Sequence, residues 1–396
     1  MHRKPFHRVI AALLITATCT AACSSAAESA APPAPAFTPV VVIHAAPTRD
    51  AAVVTATLAA TATSRPAATE AATQTPAPAI ATPQWDGTIN PFTGLAVSDP
   101  EALQRRAMLI KVANTSNVRP QTGLSLADVV VEHYAEGGIT RFDALYLTHA
   151  PEKVGSVRSC RLIDLELPQI FDAGLVCSGT SPGVKQLMRQ SPAFLDNRTM
   201  VADLGQYSGC KGCPMYRTND AGVPHNLFAS AVNAWATLDK AGKNQPSAFR
   251  SWTFNPAPPG GGQPATSVNI PYTSGTVTWK YDEAAGLWSR WYGRQPHTEK
   301  LTRQPLTAAN VVVVYAHHQP TLIVEDTGGS RSIEIQLWGE GPLQVFRDGR
   351  MIDGHWRRPS QAGALEFIGA DGVPIPLKPG ATWIELVPLS FGVKAE

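Results

Sequence analysis

The stretch NPAPPGGGQPA, Asn255 to Ala265, decides how this chain is divided. Pro256, Pro258, Pro259 and Pro264 lack backbone N–H groups, and Gly260, Gly261 and Gly262 give the backbone its widest freedom, so the segment excludes regular structure and reads as a linker. The residue pattern differs on its two sides. Upstream, strand-like and helix-like segments alternate: strands at Met108–Ala113, Val129–Tyr134 and Ile139–Thr148, a helix at Arg161–Phe171, a strand at Gly174–Cys177, a helix from Ser181 and another over Asn226–Leu238. Downstream, short apolar runs recur between Gly, Pro, Asn and Asp turns: Thr276–Tyr281, Leu287–Tyr292, Val311–Ala316, Thr321–Glu325, Ser332–Trp338, Leu343–Arg347, Met351–Trp356, Leu365–Ile368 and Thr382–Val387. Asp348-Gly349 between Phe346 and Met351 is the clearest hairpin signal. The expected class is α+β, with a mixed α/β domain over 85–254, the linker 255–265 and a mostly antiparallel β domain over 266–396.

Before the folded part, the chain reads as an export signal and a spacer. Arg3, Lys4, His7 and Arg8 precede a short apolar run, Val9 to Thr18, and Ala21 and Ala22 stand immediately before Cys23. The run is too short to cross roughly 30 Å of hydrocarbon, so residues 1–22 are expected to be cleaved and Cys23 to carry lipid. Thr20 occupies a place where such signals usually hold a large aliphatic residue, and the alternative is ordinary secretion with cleavage near Ala22. Residues 23–84 are dominated by Ala, Thr, Pro, Val and Ser and are read as a disordered stalk.

The 396 residues carry a net charge of +2, without the basic excess of a nucleic-acid binder. Of six cysteines, Cys160, Cys177, Cys210 and Cys213 remain once the signal and the lipid site are set aside. They allow three pairings in an oxidising compartment. Cys210 and Cys213 form a CxxC, but in a loop without the strand-to-helix setting of a redox motif.

A series of short motifs runs through the chain: Asn90-Pro-Phe-Thr-Gly-Leu95, Arg119-Pro-Gln-Thr-Gly-Leu124 with Ala127 and Asp128, Glu136-Gly-Gly-Ile-Thr-Arg-Phe142, Gly155-Ser-Val-Arg-Ser-Cys-Arg161 and Pro224-His-Asn-Leu227. Together they resemble the YerB-like bacterial lipoprotein family. The resemblance covers nearly everything after Ile89 and implies an N-terminal and a C-terminal domain of unknown function on an envelope lipoprotein. It implies no activity. Cys160 stands where the family more often has a small residue, and Cys177 and Ser178 where it usually has His or Ala.

The individual residues offer several chemical candidates. Gly179-Thr-Ser-Pro-Gly183 spells GxSxG between a strand and a helix, but Pro182 has no N–H to stabilise an oxyanion. Ser181 is read instead as a helix cap with Pro182 as first helical residue. The free N–H groups behind Gly179, Thr180 and Ser181, together with Arg141, Arg158 and Arg161, suggest an anion site. In the expected hairpin, Arg141 lies opposite Tyr134, diagonal to Glu132 and Glu136, with Asp143 on its own face. The competing reading is an internal salt-bridge lattice. His225 and Asn226 are assigned to the following helix start, with Asn226 as cap and a catalytic His225 as the lesser alternative. No metal centre, nucleophile or cofactor is expected. His317 and His318 lack a second ligand pair.

Three functions follow: binding of an anionic envelope ligand, a phosphorylated or carboxylated glycan or cell-wall precursor; phosphoryl or glycosyl transfer using these arginines with Asp143 or Glu132 as base or metal holder, by fold-level analogy with LytR-type envelope phosphotransferases; or an interaction module presenting Trp279, Trp288, Trp291 and Trp356. The first is preferred. The membrane is expected as a partner through Cys23, and nucleic acid is not.

Overall fold

A computed structural model describes residues 87–205 and 207–396. The expected signal 1–22, the lipid site Cys23 and the stalk 23–84 lie outside the described residues. The described residues fall within one compact unit.

The backbone of the molecule is one large twisted sheet. Its strands run in the spatial order Glu366–Gly369, Arg350–Arg358, Gly339–Arg347, Asn310–Val324, Thr382–Pro388, Val129–Tyr134, Thr140–Tyr146, Ala107–Ala113, Ala173–Cys177, Thr199–Val201. Strand content dominates, with a mixed N-terminal part and a mainly antiparallel C-terminal part. The two parts meet inside the sheet: Thr382–Pro388 pairs in parallel with Val129–Tyr134 on one side and with Asn310–Val324 on the other. Val129–Val131 and Val311–Val314 are buried, as expected for β-branched runs in strands covered on both faces. Successive residues serve opposite cores. Val130, Val311 and Val313 belong to the core capped by Trp279, Trp288 and Trp235, whereas Val129, Val131, Val312 and Val314 join Ile163, Leu167 and Phe171.

The linker expectation needs correction. Gln263–Pro264 forms a short strand against Arg350 and Met351, because Pro264 sits at a sheet edge where no N–H is demanded of it. A second, smaller sheet is built from Ser267–Tyr272, Gly275–Asp282 and Leu287–Tyr292 with three two-residue strands. The Asp348-Gly349 hairpin forms as expected. Arg347 pairs with Arg350, and the two turn residues have φ of 51° and 67°, the left-handed pair that this tight turn demands.

Three further expectations change. Arg161–Phe171 is two short turns, Leu162–Leu165 and Leu167–Ile170, interrupted at Glu166, with Pro168 unable to donate a backbone bond. Asn226 is no cap. Leu227–Ala229 is a strand, and the helix Ala231–Lys240 is capped by Ser230, whose Oγ accepts from Asn233 N at 3.2 Å. Val311–Ala316 and Thr321–Glu325 merge into a single strand, Asn310–Val324, despite Pro320. Beyond Ala316 that strand leaves the large sheet and pairs only with Arg331–Gln336, with a register shift between Pro320 and Val324. Such an edge with a bulge accommodates proline.

Candidate functional site

The hairpin Val129–Tyr134/Thr140–Tyr146 sets which charges can meet. Its register pairs Arg141 with His133 and Thr140 with Tyr134, one residue away from the sequence expectation. The cause is the connection. Ala135 N donates to Ile139 O, and Gly137 and Gly138 turn the chain with φ of 69° and 73°. A one-residue slip moves side chains to the other face. Glu132 therefore does not accompany Arg141. Its carboxylate accepts from Asn114 Nδ2 at 2.9 Å, from Thr140 Oγ1 at 2.6 Å and from the buried Arg290 guanidinium.

On the Arg141 face, charges are enclosed in the core. Lys111 Nζ donates to Asp143 Oδ2 at 2.7 Å and lies 2.8 Å from Asp164 Oδ1. His133 donates from Nδ1 to Tyr134 O at 2.7 Å, which leaves Nε2 to accept from Lys111, also at 2.7 Å. Burial and the Lys111 charge hold His133 well below its ordinary value. Burial and the Asp143 charge push Asp164 up to about 6, against the pull of Lys111. Glu132 and Asp143 are fully buried, so neither faces solvent as a base or metal holder.

Nearer the surface, Arg141 and Arg161 share Glu136. Arg141 Nη2 donates to Glu136 Oε1 at 2.7 Å, and Arg161 grips both carboxylate oxygens through Nε and Nη2. Burial alone would raise this carboxyl, but the Arg161 hydrogen bond and the two arginine charges hold it down at about 2. Both guanidiniums are themselves buried. Arg141 also donates to Ser159 O.

Arg158 points elsewhere. It is half-exposed, and among the described residues no carboxylate lies within ion-pair distance of it. Its Nη2 meets His225 Nδ1 at 2.5 Å. Burial and the Arg158 charge lower the His225 pKa, so the imidazole is neutral near pH 7 and accepts at Nδ1. Asn117 Nδ2 lies 2.9 Å from the other ring nitrogen, Nε2, and Asn117 Oδ1 accepts from Thr115 Oγ1 at 2.7 Å. Ser156 Oγ fixes the same segment by donating to His225 O at 2.7 Å. His225, Asn117 and Ser156 line a cleft of about 210 Å³ with Arg119, Thr122, Lys300 and Asp220, and Arg158 reaches its edge through the contact with His225. Asp220 pairs with Lys153, while Arg119 lies 3.7 Å over the Tyr292 ring and Lys300 is exposed; neither of these two cations has an ion-pair partner among the described residues.

The expected helix start is brought alongside these arginines. Cys160 N donates to Gly179 O at 2.8 Å and Ser178 N to Arg158 O at 2.9 Å, and a Cys160–Cys177 disulfide ties the two segments together. The second disulfide joins Cys210 and Cys213. Pro182 is the first residue of the helix Pro182–Met188 as expected, but Ser181 Oγ makes no capping bond. Thr180 Oγ1 and Ser181 Oγ are buried without a hydrogen-bond partner among the described residues. Asn226 instead accepts from Arg217 at 2.6 Å. Trp279, Trp288 and Trp356 are core residues, and Trp291 is half-buried beneath Lys280, so these four form no exposed row. Sequence reading missed Asn117, Arg119, Ser156 and Lys300. The only hint was that Arg119, Ser156 and His225 each fall in one of the short motifs.

Residues 92–244 match the family described as "Protein of unknown function (DUF3048) N-terminal domain", and residues 268–384 match its C-terminal domain. The chain belongs to this YerB-like family. It is 30% identical over 307 residues to "Putative lipoprotein YerB" of Bacillus subtilis (strain 168), an alignment spanning 75% of this chain and 86% of that protein. The crystal structure of the YerB protein from Bacillus subtilis superposes with a TM-score of 0.65 at 28% identity, covering 77% of this chain and 99% of that one. The two family segments flank the proline- and glycine-rich stretch, yet in this chain they share one sheet. No helix among the described residues is long and apolar enough to cross a membrane.

Proposed function

We propose that this family member is a lipoprotein of the bacterial envelope, held outside the membrane through Cys23, whose Arg158–His225 cleft binds an anionic group. The ligand class is a phosphorylated or carboxylated glycan or cell-wall precursor. One observation carries the reading: Arg158 has no acidic partner among the described residues and is held by the neutral imidazole of His225, which itself lines the cleft with Arg119 and Lys300. A guanidinium without an acidic partner at the edge of a cleft, steered by its neighbours, is suited to bidentate holding of phosphate or carboxylate. Arg141 and Arg161 contribute positive field from behind, their side chains being committed to Glu136. Binding is favoured over transfer because the two carboxylates suggested as bases, Glu132 and Asp143, sit in the closed interior.

Titration calorimetry with inorganic pyrophosphate and with a soluble uronic-acid disaccharide tests the cleft. Wild type should bind at least one of them, more weakly as salt rises, and Arg158→Gln should weaken binding by about tenfold or more. Equal affinities would refute the assignment. The anchor is tested separately: Cys23→Ser should move the protein from the membrane pellet to the soluble fraction.

A further inference from the structure

The arm formed by the part of Asn310–Val324 beyond Ala316 and by Arg331–Gln336 reaches from the C-terminal half onto the arginines of the N-terminal half. After Ala316 its first strand has left the large sheet, and Arg331–Gln336 packs on the turns Leu162–Leu165 and Glu136–Gly138. Ile323 lies on the helix Pro182–Met188 so closely that a Cβ at Gly183 would stand 2.7 Å from Ile323 Cγ2. At the tip, Glu325 N donates to Ser330 O at 2.8 Å, and Asp326 Oδ1 accepts from Ser330 N at 3.1 Å.

This packing delivers a third acid to the arginine cluster. The Glu325 side chain is 0% exposed and its Oε2 lies 3.3 Å from Arg161 Nε. Yet Arg161 spends its donors on Glu136 and on Cys160 O, and neither Glu325 oxygen has a hydrogen-bond partner among the described residues. A buried carboxylate held by charge alone forgoes the hydrogen bonds it would make in water, so the contact is weak for its degree of burial. Arg141, Arg158 and Arg161 against Glu136 and Glu325 leave one net positive charge; lifting Glu325 away leaves two.

We propose that the arm is an internal gate: Glu325 stands where an incoming anion would lie against Arg161, and the arm swings off when such an anion competes for it. This rests on the anion-binding reading of the adjoining cleft and extends it, because Arg161 then becomes a second contact for a ligand with two anionic groups, such as a pyrophosphate. The weakly held carboxylate favours displacement, and because Ser332 and Ile335 are buried in the core, the swing is confined to the tip, Leu322–Arg331, which moves without breaking the large sheet.

The test is pyrophosphate affinity of the full mature chain. Glu325→Gln keeps the side-chain shape, removes the competing charge, and should tighten binding by about tenfold. Asp326→Asn, the same charge change one residue away on an exposed side chain, should leave affinity within about twofold. Equal gains from both substitutions would show a diffuse charge effect and overturn the gate, as would no gain from Glu325→Gln. In wild type, saturating pyrophosphate should also speed amide hydrogen exchange over Glu325–Arg331, and unchanged or slower exchange there counts against the gate. The two readings fail differently. If Arg158→Gln abolishes binding while Glu325→Gln changes nothing, the cleft stands and the gate falls. If Glu325→Gln gains and Arg158→Gln costs nothing, the gate stands and the cleft falls.

Discussion

Replacing Glu136 with Gln removes the one carboxylate shared by two buried guanidiniums. In the folded protein that carboxyl is held at about 2, against 4.5 for a free glutamate. The difference corresponds to roughly 3 kcal/mol of stability, trimmed toward about 2 by solvent screening at the outer edge of the group. The same range follows from breaking a buried pair, since Arg141 and Arg161 are left near each other with diminished compensation. The sign is set by the direction of the shift. A depressed carboxyl contributes fully above about 4.5, and its contribution is lost as pH falls toward 2. Urea unfolding at pH 7 should show the Glu136→Gln midpoint lower by roughly 1 M, for a slope near 3 kcal/mol per molar. As the pH is lowered from 5 to 2.5 the gap between the two proteins should narrow, because wild type loses what the variant never had. A midpoint matching wild type at pH 7, or a gap independent of pH, would refute the claim that this carboxylate neutralises the arginine pair.

Glu385, held by Trp279 Nε1 and Tyr272 Oη at 2.8 Å each, is pushed up to about 8 by burial and by the Glu132 charge. A raised carboxyl favours the folded state at low pH, and the benefit is lost between about 4.5 and 8. Glu385→Gln should therefore melt near wild type at pH 4.5 and be more stable at pH 9, by on the order of 2 kcal/mol; a variant less stable at pH 9 contradicts this. Converting Cys160 and Cys177 to serine opens a loop with a sequence separation of 17 and should lower unfolding free energy by about 3 kcal/mol, read as a thermal-melt shift absent from wild type under non-reducing conditions. Gly349→Ala places a side chain at φ 67° with its Cβ 2.9 Å from Tyr281 Cε1, and should cost about 1–2 kcal/mol by the same melts; a neutral result would mean that the turn relaxes freely.

Local pattern was readable where one force dominated. The β-branched run Val129–Val131 and the Asp348-Gly349 turn announced their structure because burial and backbone conformation each demand those residue types. The register around Gly137 and Gly138 was not readable: two glycines admit several turn lengths, and a single residue decided whether Glu132 or His133 would accompany Arg141. The helix start at Ser230 was hidden because Leu227–Ala229 suits a strand and a helix equally in so short a run. The basic cleft was half visible. Arg158 and His225 stood out by residue type, but Asn117, Arg119 and Lys300 come from segments whose convergence depends on long-range packing. Glu325 could not have been linked to Arg161 across more than 160 positions, because nothing local in a Val-Glu-Asp-Thr-Gly-Gly turn points to an arginine on another element.

The placement of Thr382–Pro388 has a consequence for biogenesis. This segment emerges from the ribosome after nearly every other part of the large sheet, yet it occupies the middle of it. Until it arrives, Val129–Tyr134 and Asn310–Val324 each expose an open, valine-rich flank of unpaired amides and carbonyls, the kind of surface that recruits other chains. Assembly must therefore wait for synthesis to reach this strand, and a protein cut short before Thr382 would leave two sticky borders facing each other with nothing between them.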